Sequence, residues 1–203
     1  MLALLLIWIV QATVIVLLVN AEWVQQQSVV EKERIARDVG EQRSASMMRR
    51  AQALYEGWFT ETGIRQQTYR RLLPDPSQPR SGVEGLAPWF FEWLKCRLDA
   101  FWALVFLGLC RAHLLLEWVP LLTASGAAAI IDGLVQRRIK RFNHALASAD
   151  KYLMAKWGLT ALLFVPLVYL SSPIAVTPLV VPAWGACLSL TCMLLVANAQ
   201  HRI

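Results

Sequence analysis

The sequence lacks the residue patterns of common enzyme and metal sites. It contains no HExxH, GxSxG, Walker A or GxGxxG motif, which mark metalloproteases, serine hydrolases and nucleotide-binding proteins. Its four cysteines show no CxxC or metal-ligand spacing, and its three histidines lie in different regions. We therefore interpret the cysteines as packing residues and expect no catalysis, no metal and no cofactor.

Long stretches of the sequence also lack charge, and 57% of all residues are hydrophobic. Residues 2–19 contain no charged side chain, and at roughly 1.5 Å per residue such a helix just spans a bilayer core of about 30 Å. Further apolar runs cover residues 99–131, 157–170 and 176–198. The pattern predicts an all-α integral membrane protein with four transmembrane helices.

The predicted organisation follows from these runs. The segments are a first transmembrane helix (1–20), a periplasmic and mostly helical segment (21–98), a long bent transmembrane helix (99–131), a basic amphipathic cytoplasmic segment (132–156), a transmembrane hairpin (157–198) and a cytoplasmic tail (199–203). Within the second helix we expect the crossing over about residues 100–122, bent near Pro120. Prolines in residues 73–82 predict a loop, and those in residues 171–178 predict the turn of the hairpin.

The first apolar run has two interpretations. Val19-Asn20-Ala21 resembles the small-residue cleavage site of a signal peptide. The run is longer than the usual signal core, however, and no Lys or Arg precedes it. We therefore favour an uncleaved membrane anchor.

The distribution of charge predicts the orientation. Residues 132–156 contain six Lys/Arg and two Asp/Glu, whereas residues 20–99 contain twelve and eleven. Because short basic loops stay in the cytoplasm, residues 132–156 should be cytoplasmic. Four crossings then place both termini in the cytoplasm, residues 21–98 on the outer face and the protein in a bacterial inner membrane.

An amphipathic stripe marks the outer segment. Its apolar residues recur at helical spacing: Met47, Met48, Leu54, Tyr55 and Trp58. This stripe needs cover from another helix. That helix belongs either to this chain or to another subunit, and the pattern does not distinguish the two.

Three ionisable residues interrupt the second apolar run. Arg111 lies about midway down the predicted crossing, and His113 and Glu117 share another face of the same helix. A charge at this depth costs a few kcal/mol and requires an acceptor. We expect Arg111 to be a structural charge or a polar subunit contact, and the alternative is an ion path that uses all three residues.

Residues 131–146 form a basic amphipathic pattern. The apolar face consists of Ile131, Val135, Ile139, Phe142 and Leu146. The remaining candidate residues of this interfacial helix are Asp132, Gly133, Arg137, Arg138, Lys140 and Arg141. Such a helix can lie in the cytoplasmic interface of the lipid bilayer or dock a partner. Asp132 is a candidate N-cap and Gly133 a candidate turn residue. We expect no direct nucleic-acid binding, because the aromatic platform of single-strand binders is missing.

Several of these residues resemble a known family. Arg111, Pro120, the run Ile131–Val135, the pair Arg137-Arg138 and the pair Arg141-Phe142 are similar to the pattern of the integrating-conjugative-element membrane proteins. Those are inner-membrane proteins of unknown function encoded with conjugative type IV secretion genes. The stretch Tyr55-Glu-Gly-Trp-Phe59 with Thr62-Gly63, and the run Pro166…Tyr169-Leu170…Pro173, also fit.

The resemblance implies a role in conjugative DNA transfer. The leading hypothesis is a noncatalytic inner-membrane subunit that binds or positions the type IV coupling ATPase or another secretion subunit, alone or as a homo- or hetero-oligomer. One alternative is an exclusion factor acting in recipient cells. The other is a small transporter that uses Arg111, His113 and Glu117.

Overall fold

A computed structural model describes residues 20–73, 88–143 and 148–199, together with Leu6 and Thr13. Every regular element in these ranges is helical, and none of the described residues forms a strand. The elements are α1 (Ala21–Val39), α2 (Glu41–Tyr55), a π-helical turn (Glu56–Thr60), α3 (Ile64–Leu72), α4 (Pro88–Phe142), α5 (Ala149–Ser171) and α6 (Val180–Asn198). The all-α prediction is confirmed.

Two glycines shape the segment before α4. Gly40 separates α1 from α2 with a φ of 99°, and Gly63 precedes α3 with a φ of 72°. Both values lie in the left-handed region, which glycine adopts without the steric cost of a Cβ atom. They allow α1, the α2 region and α3 to fold back against one long helix.

That long helix, α4, contains 55 residues and is about 80 Å long. It runs through Pro120 and past Asp132 without ending, so the predicted start of a separate helix at Asp132 is wrong. Gly133 does not make a turn, because it lies inside α4. It is also the point at which α4 packs closely against α6. A Cβ atom on Gly133 would come within 2.8 Å of the Met193 carbonyl oxygen and 2.9 Å of the Val196 Cβ atom. The glycine permits close helix packing, and the predicted interfacial helix is the end of α4.

Helix α4 packs against two different partners along its length. The buried apolar residues of its first half are Leu98, Ala100, Trp102, Leu107, Cys110 and Leu114, and α1 and α2 lie against this part. The hairpin of α5 and α6 lies against the rest: the Ser189 hydroxyl donates to the Ser125 hydroxyl at 3.2 Å, and Gly185 meets Leu122. The predicted crossing over residues 100–122 therefore overlaps both parts.

Five of the described helices contribute to one core cluster. It contains one residue each from α1, α2, α4, α5 and α6: Ile35, Met47, Leu114, Tyr169 and Val181. Helices α1 and α2 and the hairpin therefore meet directly through apolar side chains. The cluster lies one helical turn beyond Arg111, at the end of the hairpin where α5 and α6 are connected.

Three of the described helices are long and apolar enough to cross a membrane. They cover Trp89–Phe142, Ala149–Ser171 and Val180–Asn198, and the last two form the predicted hairpin. The predicted first crossing, 1–20, lies outside the described residues apart from Leu6, Thr13 and Asn20. Most of the predicted loop at 73–82, Leu146, and the tail after Ala199 also lie outside them.

Candidate functional site at the buried arginine

Arg111 is fully buried, with 0% of its surface exposed, and its charge is paired with Glu31 of α1, which is 1% exposed. The Arg111 Nε atom donates to Glu31 Oε1 at 2.8 Å, and Nη2 donates to Oε2 at 2.6 Å. Nη1 also donates to the carbonyls of Tyr169 (2.6 Å) and Ser172, and Nη2 to that of Ile174 (2.7 Å). An arginine has five N–H donors, so every one is used.

This arrangement satisfies a charge that is otherwise costly to bury. Two parallel hydrogen bonds between a guanidinium and a carboxylate form the strongest side-chain pair. The ring of Tyr169 lies 5.2 Å from the guanidinium carbon, where a cation–π contact adds to the attraction. The predicted structural acceptor for Arg111 therefore exists. The carboxylate comes from α1, and the backbone acceptors come from the end of α5 and the turn that follows it.

Helix α1 holds the turn between α5 and α6 with two more side chains. Gln27 and Arg34 lie on the same face as Glu31, because their spacing is four and three residues. The Gln27 Oε1 atom accepts from the Ala175 backbone N–H at 3.1 Å, and Arg34 Nη1 donates to the Ala175 carbonyl at 3.0 Å. Ala175 lies in a turn, where its backbone N–H and carbonyl have no hydrogen-bond partners from a helix of their own. The polar face of α1 supplies these partners.

His113 and Glu117 do not join this site. The His113 Nδ1 atom lies 3.0 Å from the Leu109 carbonyl of its own helix. The Glu117 Oε1 atom lies 3.6 Å from Arg50 Nη1 of α2, and the two side chains are 48% and 67% exposed. The three ionisable residues of this part of α4 therefore have three separate environments.

The amphipathic stripe of α2 is covered mainly by α4 of the same chain. Met47 is buried in the core cluster, and the Met48 Sδ atom lies 3.7 Å from the Cys110 Sγ atom. The Tyr55 ring packs edge-on against the ring of Phe106 at 5.6 Å, and Leu54 is half-buried. Trp58 differs, because 56% of it is exposed.

The basic residues near the end of α4 have different surroundings. Lys140 Nζ donates to Asn198 Oδ1 at 2.9 Å and to the Ala197 carbonyl at 3.3 Å. A cation at this place stabilises the C-terminal end of α6, where carbonyl groups lack partners. Arg138 and Arg141 are exposed and Arg137 is half-buried. Asp132 caps no helix and accepts from Gln136 at 3.4 Å.

A hydrogen bond between side chains joins α3 to α4. The Tyr69 hydroxyl donates to Asp99 Oδ1. Burial, followed by the hydrogen bond and negative charge of Asp99, raises the pKa of Tyr69 to about 12. Within the described ranges, no three His, Cys, Asp or Glu side chains come together in a way that could hold a metal ion.

Sequence reasoning missed the partners of the charged residues. Glu31, Gln27 and Arg34 were not singled out, although Val24, Glu31 and Ile35 repeat at helical spacing and are all buried. The signal for Glu31 was a charge on the apolar face of an otherwise polar helix. Nothing in the spacing pointed from Arg111 to Glu31, because 80 residues separate them.

Comparison with known proteins identifies the family. No curated protein and no solved structure matches the chain. A family model matches residues 13–200, and its description reads IncC plasmid conjugative DNA transfer protein DtrJ-like. This match confirms the resemblance to a conjugation-associated family, although the description does not mention integrating conjugative elements. With nearly its whole length matched, the chain belongs to the DtrJ-like family of conjugative DNA transfer proteins.

Proposed function

We propose that this protein is a noncatalytic subunit in the inner-membrane part of a conjugative type IV secretion apparatus, where it binds or positions the coupling ATPase or a channel component. Its family supports the process, and its three long apolar helices support a membrane location. The observation that carries the proposal is the Glu31–Arg111 junction. It fixes the outer helices to the hairpin and uses every donor of the buried arginine.

A closed junction of this kind suits a structural role better than transport. Arg111 has no donor left for a moving ion, and Glu117 pairs with Arg50 on the surface. A small transporter would need these groups along one path through the membrane. Their separate environments argue against that alternative.

The opposite end of the protein offers a surface for a partner. Arg138 and Arg141 are exposed beside Ile139 and Phe142, and 75% of Phe142 is exposed. Basic residues next to exposed apolar ones provide both charge steering and burial. In the cytoplasmic orientation expected from the basic charge, this end faces the compartment in which an ATPase would dock.

Co-purification from detergent tests the proposal. A tagged protein from donor cells with an intact transfer system should recover the coupling ATPase or another inner-membrane secretion subunit. The proposed role is wrong if neither is recovered, whether or not the intact membrane is mildly cross-linked before extraction.

Charge reversal shows which end binds the partner. Arg138→Glu with Arg141→Glu should reduce recovery by about tenfold or more, since about 1.4 kcal/mol changes a binding constant tenfold. The matched control is Arg43→Glu with Arg49→Glu, two exposed arginines of α2, which should leave recovery unchanged. Equal losses in both variants would show that the basic end of α4 is not the docking surface.

A further inference from the structure

Charged side chains of α1 and α2 lie alongside the first half of α4. The Lys32 ammonium group lies 5.8 Å from the centre of the Phe106 ring, and Lys32 itself is exposed. Further along α4, Glu117 forms the exposed ion pair with Arg50. Because exposed charges are costly in the hydrocarbon region of a bilayer, water must reach the protein at both levels. Phe106 and Glu117 both lie within the crossing predicted over residues 100–122.

Polar groups also accompany α4 closer to its first residue. Asp99 accepts a hydrogen bond from the Tyr69 hydroxyl. It also lines a groove whose wall includes Glu22 of α1 and Arg65 of α3. Helix α4 rises about 27 Å between Asp99 and Glu117. Charged partners at the beginning, the middle and the end of this length are incompatible with a surrounding of lipid.

The part of α4 that follows Glu117 has the opposite character. Residues 118–136 contain one charged side chain, Asp132, and as a helix they are about 28 Å long, which matches a bilayer core. Asp132 lies only about 8 Å before Arg137, close to the basic end of the helix. Apolar side chains are exposed around this part of α4: Val119, Leu121, Ile130, Ile131, Leu134 and Val135.

Helix α6 matches this part of α4 in position and length. A Cβ atom on Gly185 would meet the Leu122 side chain, and one on Gly133 would meet the Met193 carbonyl oxygen. Residues 180–198 contain no charged side chain and are about 28 Å long as a helix. The two helices therefore share one apolar layer.

We propose that the lipid bilayer surrounds α4 only from about Trp118 to Gln136, so that the junction of Glu31 with Arg111 lies outside the hydrocarbon core. Arg111 is then about 10 Å outside the layer that begins at Trp118. The part of α4 from Pro88 to Glu117 forms an arm about 45 Å long, with α1, α2 and α3 packed against it. The buried ion pair holds this arm and the hairpin together beside the membrane surface.

Cysteine labelling in native membranes tests this boundary. The variants Lys32→Cys and Ala127→Cys, made in a chain whose four cysteines are replaced by alanine, each place one thiol at a position exposed on the protein surface. Lys32 lies beside Phe106, and Ala127 is the middle residue of the range 118–136. With both membrane faces open to a membrane-impermeant maleimide, Lys32→Cys should be labelled and Ala127→Cys should not. After denaturation in detergent, both should be labelled equally.

Two further measurements keep the test independent of one variant. Val29→Cys, also at an exposed position of α1, should be labelled like Lys32→Cys. In the unaltered chain, peptide mass spectrometry should find the label on Cys96 and not on Cys187, although both are exposed on the protein surface. Protection at position 29, 32 or 96, or labelling at position 127 or 187, overturns the proposal. Labelling requires no partner protein, so its outcome does not depend on the proposed function.

Discussion

Replacing Glu31 by glutamine isolates the charge of the buried pair, because the amide is almost the same size as the carboxylate. One hydrogen bond from Arg111 to the side chain can remain. In place of the second carboxylate oxygen, the glutamine presents its amide nitrogen to the guanidinium, so two hydrogen-bond donors face each other. The guanidinium keeps its charge without a counter-ion at a place that water does not reach, since both residues are at most 1% exposed.

The expected loss is large for a single isosteric change. Removing one partner of a buried ion pair costs about 3–5 kcal/mol. For a chain of this size, about 3 kcal/mol corresponds to a decrease of roughly 10 °C in the unfolding midpoint. Thermal unfolding of the detergent-solubilised protein, followed by circular dichroism, measures it.

Glu117→Gln is the matched control, because it makes the same change in the exposed pair with Arg50. Exposed pairs contribute about 0–1 kcal/mol, so the midpoint should change by no more than a few degrees. If Glu31→Gln lowers the midpoint no more than Glu117→Gln does, Glu31 does not neutralise Arg111 in the folded protein. The described junction would then be wrong.

Three further predictions concern other contacts of the bundle. Gly133→Ala should destabilise the protein by about 1–3 kcal/mol, because the added methyl group overpacks the contact with α6. The control is Gly126→Ala, whose Cβ meets nothing within 4 Å and which should raise stability by up to about 1 kcal/mol. Thermal unfolding compares the two variants. Lys140→Ala should cost about 1 kcal/mol because α6 loses the cation at its end, and Arg141→Ala, an exposed neighbour, should cost less in the same assay. Because the pKa of Tyr69 is raised from 10.0 to about 12, the unfolded chain releases this proton first, so stability should fall as the pH rises from 10 to 12. Tyr69→Phe should show a smaller fall in unfolding midpoint between pH 8 and pH 11, and an equal fall would contradict the assignment.

The sequence predicted the helices better than their ends. Apolar runs and prolines correctly indicated the hairpin, whose turn lies between Ser171 and Val180. They could not show that α4 continues past Gly133. Glycine occurs both in turns and where two helices pack closely, so the residue type alone does not indicate which applies. Only the position of α6 distinguishes the two. Apolar composition likewise does not distinguish the part of α4 covered by α1 and α2 from the part beside the hairpin.

The candidate site was predicted only in part. The need of Arg111 for an acceptor followed from the cost of burying a charge. The identity of that acceptor depends on how α1 packs, and residues 20–99 offer eleven acidic candidates. The same limitation applies to Lys140: its basic neighbours suggested a lipid-facing role, whereas its partner at Asn198 is fixed by the packing of α6 on α4.

Mating frequency after deletion tests the proposed role most directly. If the protein is a subunit of the transfer apparatus, deleting its gene from donor cells should strongly reduce transfer, and the unaltered gene supplied in trans should restore it. Deletion from recipient cells should change nothing. Unchanged transfer from deleted donors, together with increased acceptance by deleted recipients, would instead identify an exclusion factor and contradict the account.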